Sequence, residues 1–540
     1  MKRGVIVLAA IALLAAVVFL LKPTSQQEVP VNDTASTDTV DSSEYYIPIS
    51  DIILVQDSDG VSALNQYISQ LAMSNELTHA SWGVYAAYVH RDSLLAHYNS
   101  DLSMVPASTM KVVTTGVVLD LLGADTRIET LLQYDGVIDT QKRVLRGNIY
   151  IRGSGDPSLG SDVFGGCVRD SVLRRWVKAI RNAGIDSIQG AVIGDARAFE
   201  YDMIPSGWAW EDMQSGYCAG ASGLSFVENV YHIMVEAKPD TFLMSTEMDI
   251  PDFQLVSQLK TGQDAPGNAI WVSGAPYMNK CFVHGYVSPD STKFGIKCQV
   301  PDPAYLCAYS LFKALKKKGI HVRDSASTHR RLGRLGSKQP SRVTIQTWKS
   351  PTILEMIQYT NTVSHNFYAE SLLKYLSYKQ TGFGSTVGGT EVIQRYWRRR
   401  GLDLRGFYQY DGSGLSRFDA ITPKQLVSML RSYGKDTTLF KQFYGTLPVA
   451  GRTGTLRGLC FGTAAEGNVH AKSGYMSRVR SYAGYVTTKD GDLVAFAMMA
   501  NNFECSPIAM RHHFEKLMAL MAELKAPSVP DSSAVPAQTP

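Results

Sequence analysis

The segment from Pro106 to Leu122 limits the possible folds of this chain more than any other. It begins PASTMKVVTTG and predicts a helix that starts after Pro106 and is capped by Gly123. Apolar residues surround nearly all of it, at Met110, Val112, Val113, Val117, Val118, Leu119, Leu121 and Leu122. Such a helix is buried inside a domain. Because lysine is rarely buried without a partner or a task, Lys111 is a candidate functional residue.

Ser108 and Lys111 are three residues apart, a spacing that places two side chains on one helix face. A serine hydroxyl is a weak nucleophile until a base takes its proton. A lysine can be that base when burial and a neighbouring cation lower its pKa. Pro106 places Ser108 near the helix N-terminus, where its free N–H can stabilise an oxyanion. The pattern is short enough to arise by chance, so it needs support from elsewhere in the chain.

Two further patterns follow in the chain. NTVSHNFYAESLLKYL places Ser364 and Asn366 before an apolar helix, where the pair could also serve as an N-cap. NVHAKSGY places Lys472, Ser473 and Gly474 on a strand, where the lysine could also be an exposed edge residue beside a bulge glycine. Each pattern alone has an ordinary structural explanation.

The surrounding segments predict a mixed fold. Gly60–Met73 has helical spacing, whereas Trp82–His90 and the following LLAHYN are typical of paired strands. KDGD makes a hairpin turn between SYAGYVT and LVAFAMM near the other end. From Lys142 to about Arg331 the chain changes to short strands with frequent Gly and Pro, which indicates inserted material.

Ser-x-x-Lys, Ser-x-Asn and Lys-Ser-Gly, in this order, resemble the three motifs of penicillin-recognising serine acyltransferases. More closely, the chain resembles the D-alanyl-D-alanine carboxypeptidase/endopeptidase family, the low-molecular-mass class C penicillin-binding proteins. The resemblance runs from about Gly83 to about Asn502 and is loose from about Lys238 to Asp302. It is carried by VPASTMKVVTTGVVLDLLGAD, NIYIRGSGDPSL, NTVSHNFYAESLLKYL, YDGSGLSRFDAITPKQL and LPVAGRTGTLRGL with the later GNVHAKSGY and AGYV. PASTMK and DGSGLSR together distinguish this family from plain β-lactamases.

This resemblance implies an α/β (α+β) fold, with a transpeptidase-like domain whose antiparallel sheet is flanked by helices. The gap between the first and second motifs is more than twice the gap between the second and third. We therefore expect a catalytic domain split into 45–135 and 335–525. Mostly-β inserted domains would occupy 136–334, with an inner one at about 235–300.

The resemblance also implies roles in catalysis. Ser108 would attack the carbonyl of the penultimate D-alanine and form an acyl-enzyme, and Lys111 would take its proton. Ser364 would relay a proton towards the leaving amine, and Asn366 would hold Lys111 and the substrate amide. Lys472 would lower the pKa of Lys111 and attract the terminal carboxylate. No metal or organic cofactor is implied.

The remaining roles concern substrate binding. Ser473 would hydrogen-bond the terminal carboxylate, Gly474 would let the substrate backbone lie against the strand, and Tyr475 would complete the oxyanion hole with its N–H. The family commonly has Thr or Ser where this chain has Tyr475. If strand alternation continues without a bulge, Arg478 and Arg480 share a face with Lys472, and one of them could replace the missing carboxylate contact. A solvent-facing arginine is the alternative.

Three functions remain open at this point. The expected one is a serine-type D-Ala-D-Ala carboxypeptidase that acts on peptidoglycan stem peptides and is inhibited covalently by β-lactams, with D,D-endopeptidase activity as an extension. A β-lactamase would need an additional deacylating group, for example a Tyr where Ser364 stands. A non-enzymatic wall- or penicillin-binding module would have no use for an intact nucleophile and base.

The chain ends indicate export. Lys2 and Arg3 precede an uncharged run, residues 4–21, so residues 1–22 resemble either a cleaved signal or an uncleaved membrane anchor, and the rest is expected outside the cytoplasmic membrane, in a periplasm if there is one. Residues 23–44 are typical of a flexible linker and 526–540 of a disordered tail. The small net charge of +4 argues against nucleic-acid binding, and Lys316–Lys318 and Arg398–Arg400 are interpreted as solvated helix ends. Seven cysteines without a CxxC pattern argue against structural zinc and leave the pairing of any disulfides undetermined.

Overall fold

The computed structural model of the chain describes residues 53–54, 59–238, 241–262, 268–289, 291–334, 336 and 340–525. The expected export segment (1–22), linker (23–44) and tail (526–540) lie outside the described residues. Within the described ranges, none of the helices combines the length and the apolar character needed to cross a membrane.

The strands, in chain order, are β1 (Ile53–Leu54), β2 (Ser81–Tyr88), β3 (Ser93–Tyr98), β4 (Arg127–Tyr134), β5 (Val137–Asp139), β6 (Val144–Arg146), β7 (Ile149–Arg152), β8 (Ser187–Ile188), β9 (Val192–Asp195), β10 (Val230–Lys238), β11 (Thr241–Thr246), β12 (Gln254–Thr261), β13 (Ala269–Ser273), β14 (Lys280–Val287), β15 (Lys293–Gln299), β16 (His321–Val322), β17 (Ser327–Thr328), β18 (Val343–Thr352), β19 (His470–Met476), β20 (Val479–Thr487) and β21 (Leu493–Asn501).

The α-helices are α1 (Asp59–Ala72), α2 (Met110–Leu122), α3 (Arg169–Asn182), α4 (Pro303–Lys317), α5 (Ile353–Val363), α6 (Asn366–Thr381), α7 (Thr386–Arg399), α8 (Pro423–Lys435), α9 (Thr437–Thr446) and α10 (Pro507–Ala522). A short 3₁₀ turn, Ala107–Thr109, leads into α2.

A six-stranded sheet in the order β1-β3-β2-β21-β20-β19 joins the two ends of the described chain. All of its pairs are antiparallel except the short β1–β3 pair. The predicted hairpin turn connects β20 to β21, and β19 forms an edge of the sheet. This is the flanked antiparallel sheet that the sequence predicted.

Helices cover both faces of this sheet. On one face α1 and α10 pack together over a core that includes Leu64 and Phe514. On the other face α2 lies among α5, α6, α7, α8 and α9, and its residues from Met110 to Leu119 are all buried. Being surrounded by other elements is the physical reason why α2 is apolar on nearly every side.

The segment between α2 and α5 builds separate sheets around its own core. One has five strands, in the order β17-β9-β7-β4-β18, and another has four, in the order β16-β8-β6-β5. Helices α3 and α4 pack against each other beside them, so the inserted part contains helices as well as strands. Two three-stranded sheets, β11-β10-β15 and β12-β14-β13, lie between α3 and α4 in sequence.

Strand pairing crosses the expected junctions of the insertion, 135/136 and 334/335. β4 pairs with both β7 and β18, and these contacts start at Arg127 and end at Thr352. Two adjacent strands of this five-stranded sheet, β4 and the edge strand β18, thus come from residues that the sequence analysis assigned to the catalytic domain. The division into domains itself stays a proposal.

The cysteines form no disulfide: all seven lie in the described part of the chain, and each has a free thiol. Six of them are buried, and Cys505 is partly exposed. Burial raises the pKa of the Cys298 and Cys307 thiols above the ordinary value.

Candidate active site

The 3₁₀ turn Ala107–Thr109 presents Ser108 at the start of the buried helix α2. Ser108 is half-buried, whereas both of its neighbours are buried. Ala107 has φ +47°, a backbone conformation that a non-glycine residue adopts only where its surroundings enforce it. The Thr109 hydroxyl donates a 2.7 Å hydrogen bond to the Pro106 carbonyl, which closes the turn. The serine is therefore held in a fixed, accessible position.

Lys111 is fully buried one helical turn from Ser108. Its ammonium nitrogen, Nζ, lies 2.9 Å from Ser108 Oγ, 2.7 Å from Asn366 Oδ1 and 2.7 Å from the Ser413 carbonyl oxygen. An ammonium has three N–H donors, and three acceptors are in place for them. The expected contact between the serine and the lysine is present, and the lysine has little freedom to leave it.

Burial lowers the pKa of Lys111 to about 8, while the carboxyl groups of Asp411, Glu370 and Asp419 act to raise it. A lysine with this pKa is partly neutral at physiological pH and can accept a proton. The sequence analysis attributed the lowered pKa to both burial and Lys472; burial is the lowering cause that the structure gives, and the effect of Lys472 stays a prediction.

Ser364 and Lys472 form a second serine–lysine pair. Ser364 caps α5 in the left-handed conformation, with φ +62°, and its Oγ lies 2.9 Å from Lys472 Nζ. Lys472 is fully buried on β19 and also donates a 2.8 Å hydrogen bond to the Ser473 carbonyl. Burial, together with the charge of Lys111, lowers the pKa of Lys472 well below its ordinary value. The alternative of an exposed edge lysine is therefore wrong.

Asn366 begins α6 and joins the active site to the inserted segment. Its Oδ1 accepts from Lys111, while its Nδ2 donates a 3.0 Å hydrogen bond to the carbonyl of Tyr217. The amide group is thus fixed in one orientation, with the oxygen towards the lysine. Asn366 is not the N-cap of α6, because His365 occupies that position.

Gly474 faces the turn that carries Ser108. A Cβ at this position would lie 2.6 Å from the Pro106 carbonyl oxygen, 3.1 Å from Ala107 Cβ and 2.1 Å from Ser481 Oγ. Glycine is required here so that β19 and β20 can approach the nucleophile turn, and the expectation that Gly474 also lets the substrate backbone lie against the strand stays a prediction.

Ser473 has a second hydroxyl beside it. Its Oγ lies 2.7 Å from Thr455 Oγ1, in the 3₁₀ turn Gly454–Leu456. The sequence analysis did not identify Thr455, although GRTGTLRGL was among the stretches that carried the resemblance.

The expectation that Arg478 and Arg480 share a face with Lys472 is wrong. Met476 pairs with Val479, so Arg478 lies in the two-residue turn between β19 and β20, with φ +63°. Arg480 lies directly opposite Tyr475, and residues paired in this way point to the same face, which is the face opposite Lys472. Simple alternation failed because the strand reverses direction after Met476.

Arg480 has partners on that opposite face. Its guanidinium carbon lies 4.6 Å from the centre of the Tyr475 ring, and one N–H group donates to the Pro507 carbonyl. The Tyr475 ring itself is exposed. These contacts hold Arg480, one of the two arginines considered as a carboxylate ligand, on the face opposite Lys472.

Asp411, in the DGSGLSR stretch, shapes the loop that touches Lys111. Its carboxylate accepts hydrogen bonds from the backbone N–H groups of Ser413, Gly414, Leu415 and Ser416 at 2.6–3.1 Å. It also accepts one from the Trp208 indole N–H at 2.7 Å. The loop thereby turns the Ser413 carbonyl towards the lysine. Sequence reasoning missed Asp411 because it acts through the backbone of another residue.

Two more buried carboxyl groups lie close to this loop. Glu370, on α6, accepts from the Gly412 N–H with both oxygens at 3.0 Å. Burial, and then the charge of Asp411, raises the pKa of Glu370 to about 8. The same two causes raise the pKa of Asp419 well above its ordinary range. Glu370 is therefore largely protonated at neutral pH, which limits its effect on Lys111.

The site contains an accessible hydroxyl, on Ser108, beside a lysine of lowered pKa, Lys111. A second hydroxyl, on Ser364, lies beside Lys472, which is part of the edge strand β19. An edge strand can pair with an extended peptide. The arrangement suits acyl transfer to Ser108. Within the described ranges, no group of three or more His, Cys, Asp or Glu side chains is positioned to hold a metal ion.

Comparison with known proteins agrees with this chemistry. The model of the D-Ala-D-Ala carboxypeptidase 3 (S13) family matches residues 64–524. A D-alanyl-D-alanine carboxypeptidase of Actinomadura sp. (strain R39) is 26% identical over 438 residues, which cover 78% of each chain. A penicillin-sensitive carboxypeptidase A of Dictyostelium discoideum is 25% identical and covers 84% of this chain and 91% of its own.

A solved structure shares the fold. The crystal structure of penicillin binding protein 4 (dacB) from Haemophilus influenzae superposes with a TM-score of 0.72 at 23% identity. The match covers 85% of this chain and 97% of the other, inserted segment included.

Proposed function

The chain belongs to the D-Ala-D-Ala carboxypeptidase 3 (S13) family of serine-type peptidases, and on this premise we propose that Ser108 is its acylating nucleophile and Lys111 the base. The observation that carries the proposal is the 2.9 Å contact between Ser108 Oγ and the buried Lys111 Nζ. Lys111 in its neutral form takes the proton of Ser108 as Oγ attacks the carbonyl of the penultimate D-alanine.

The tetrahedral intermediate then collapses to an acyl-enzyme. Its oxyanion is held by the backbone N–H groups of Ser108 and Tyr475. The carbon–nitrogen bond breaks, and the leaving D-alanine amine receives a proton from the Ser364 hydroxyl, which Lys472 replaces across their 2.9 Å contact. Water then attacks the ester carbonyl, and its proton passes through the Ser364 hydroxyl to the neutral Lys472. As the carbon–oxygen bond to Ser108 breaks, Lys111 returns its proton to Ser108 Oγ, the shortened peptide leaves, and both lysines are back in their starting states.

Substrate binding prepares the base electrostatically in this account. The terminal carboxylate of the substrate lies against Lys472 and favours its charged form. A charged Lys472 then disfavours a charge on Lys111, because the two buried lysines repel each other. The free substrate carboxylate therefore promotes the neutral, active state of Lys111.

The carboxylate is bound, on this proposal, by Lys472 and two hydroxyl groups. Ser473 Oγ and Thr455 Oγ1 are 2.7 Å apart, close enough for one carboxylate to accept from both. Thr455 thereby supplies a hydroxyl in place of the Thr or Ser hydroxyl that the family commonly has at the position of Tyr475.

The substrate class follows from the family. The proposed substrates are peptidoglycan stem peptides that end in D-Ala-D-Ala, and β-lactams are proposed as covalent inhibitors because they acylate the same serine. The similarity to a penicillin-sensitive carboxypeptidase and to a penicillin binding protein supports this. A β-lactamase would release its acyl group quickly, whereas this enzyme should stay acylated.

The location is proposed to be outside the cytoplasmic membrane. A positive start followed by the uncharged residues 4–21 supports export, and peptidoglycan is assembled on that side. Protease added to intact spheroplasts should digest the protein, and protection until lysis would contradict export.

Release of free D-alanine tests the proposed activity. Purified protein is incubated with a soluble pentapeptide that ends in D-Ala-D-Ala, and the masses of the products are measured by mass spectrometry. Loss of one D-alanine is expected with the wild type and not with Ser108→Ala. Incubation with a D,D-crosslinked fragment measures endopeptidase activity in the same assay.

A further inference from the structure

A groove of about 530 Å³ lies between α3 and α4 of the inserted segment. Partly or fully buried apolar side chains, Leu173, Val177 and Ala314, form part of its lining. It includes none of the residues placed in the candidate active site. Its size is within the range of small-molecule and polymer-segment sites.

The groove concentrates positive charge. Its cations are Arg174, Lys178, Arg181, Lys317 and Lys318, all exposed, against a single carboxylate, Asp170. The surplus equals the formal charge of +4 carried by the whole chain. In the part of the chain that the structure describes, none of these five cations pairs with a carboxylate, and Asp170 contacts Arg169 instead.

Local helix stability explains only part of this arrangement. Lys317 and Lys318 end α4, where cations interact favourably with the helix dipole. Arg174, Lys178 and Arg181, however, form a stripe at i, i+4 and i+7 along α3. Like charges at this spacing destabilise a helix by about 0.2–0.5 kcal/mol per pair. Arg181 also donates a hydrogen bond to the Lys318 carbonyl, so the two basic helix ends are joined.

We propose that this groove binds the anionic wall polymer through the carboxylates of its stem peptides and so delivers polymeric substrate to the enzyme. The inference rests on the proposed function, because each uncleaved D-Ala-D-Ala stem carries a terminal carboxylate. A glycan strand presents such carboxylates repeatedly, and exposed arginine and lysine side chains along a groove are complementary to that array.

A membrane surface fits the groove less well. Interfacial helices project bulky apolar side chains into the lipid next to their cations. Here the apolar residues are withdrawn: Val177 is buried, and Leu173 and Ala314 are half-buried. A concave site with cations at its rim suits a single polymer strand.

The test compares two triple variants that each lose three exposed cations. The groove variant is Arg174→Gln/Lys178→Gln/Lys317→Gln. The matched control is Arg395→Gln/Arg398→Gln/Arg399→Gln on α7, where all three arginines are exposed. Initial rates of D-alanine release are measured on a soluble pentapeptide and on purified high-molecular-mass peptidoglycan, at low and at physiological salt.

At limiting polymer concentration, the rate of D-alanine release by the groove variant should be about tenfold lower than that of wild type. Its rate on the soluble peptide should equal that of wild type. Physiological salt should reduce the difference between wild type and the groove variant on the polymer. The control variant should behave as wild type on both substrates. Equal polymer rates for the two variants overturn the proposal.

Two binding measurements keep the result independent of activity. Co-sedimentation of the protein with peptidoglycan should weaken in the groove variant and not in the control variant. This binding result does not depend on catalysis. If wild type released no D-alanine from the soluble peptide, that would contradict the proposed function and not the proposed binding site. The second measurement is co-sedimentation with phosphatidylglycerol vesicles. If the groove substitutions weaken vesicle binding but leave peptidoglycan binding unchanged, the groove is a lipid site and the proposal is overturned.

Discussion

Lys472 lies 2.9 Å from Ser364 Oγ, the same distance that separates Lys111 from Ser108 Oγ. Both lysines are fully buried, and both have pKa values below the ordinary one. When two buried amines lie close together, a charge on one disfavours a charge on the other. This relationship disfavours a charge on both lysines at once and leaves one of them able to take a proton.

The acylation rate should therefore rise with pH through about 8, the pKa of Lys111. Below that pH the lysine is protonated and cannot act as a base, and above it the neutral form predominates. The second-order rate constant for a fluorescent penicillin, measured from about pH 6 to 9.5, gives the midpoint. Lys111→Ala should lower that rate by about 10²–10⁴-fold at every pH. A rate that is independent of pH across this range contradicts the assignment of the base.

Asp411→Asn should move the midpoint of that pH profile to a lower value. The carboxylate of Asp411 acts to raise the pKa of Lys111, so removal of its charge favours the neutral lysine. The same change removes acceptors for the loop amides, and melting temperature should fall as well. Asp403→Asn, at an exposed aspartate paired with Arg405, is the control. A midpoint that stays in place or rises would mean that Asp411 affects stability only.

Gly474→Ala should abolish most acylation. The new Cβ would meet Ser481 Oγ at 2.1 Å and the Pro106 carbonyl oxygen at 2.6 Å, so the strand and the nucleophile turn must separate. Overpacking of this kind costs about 1–3 kcal/mol of stability. Gly445→Ala, where a Cβ meets nothing within 4 Å, should label with penicillin as wild type does. Normal labelling of Gly474→Ala would show that the turn tolerates displacement.

Thr455→Val should lower the ratio of the rate on a D-Ala-D-Ala peptide to the rate on its C-terminal amide, and Arg480→Ala should leave this ratio unchanged. A hydrogen bond to a charged group contributes about 1.5–3 kcal/mol, so the ratio of rates on a D-Ala-D-Ala peptide and on its C-terminal amide should fall at least tenfold in Thr455→Val. The guanidinium of Arg480 packs on Tyr475 across the sheet from Lys472. If Arg480→Ala lowered this ratio and Thr455→Val did not, the carboxylate ligand would be Arg480 and not Thr455.

Sequence reasoning found one residue, Lys111, by a conflict with its surroundings, and found Ser364, Asn366 and Lys472 by the order of three motifs along the chain. Lys111 stood out because it interrupts an apolar helix, and that helix is buried as its composition requires. Asp411 and the Ser413 carbonyl were missed because a backbone contact leaves no side-chain pattern to read.

Other differences come from long-range pairing. Arg478 and Arg480 were misplaced because a two-residue turn after Met476 reverses the strand, and nothing in SGYMSRVRSY marks that turn with glycine at its centre. The pairing of β4 with β18, which are far apart in sequence, was likewise not predicted. Order along the chain does not reveal such a pair.

The most direct test of the account is the site of acylation. Protein labelled with a penicillin is digested, and the peptide that carries the penicilloyl group is sequenced by mass spectrometry. The account predicts one adduct, on Ser108, and no adduct in Ser108→Ala at equal protein and penicillin concentrations. An adduct on Ser364, or labelling of Ser108→Ala at the wild-type rate, would contradict it.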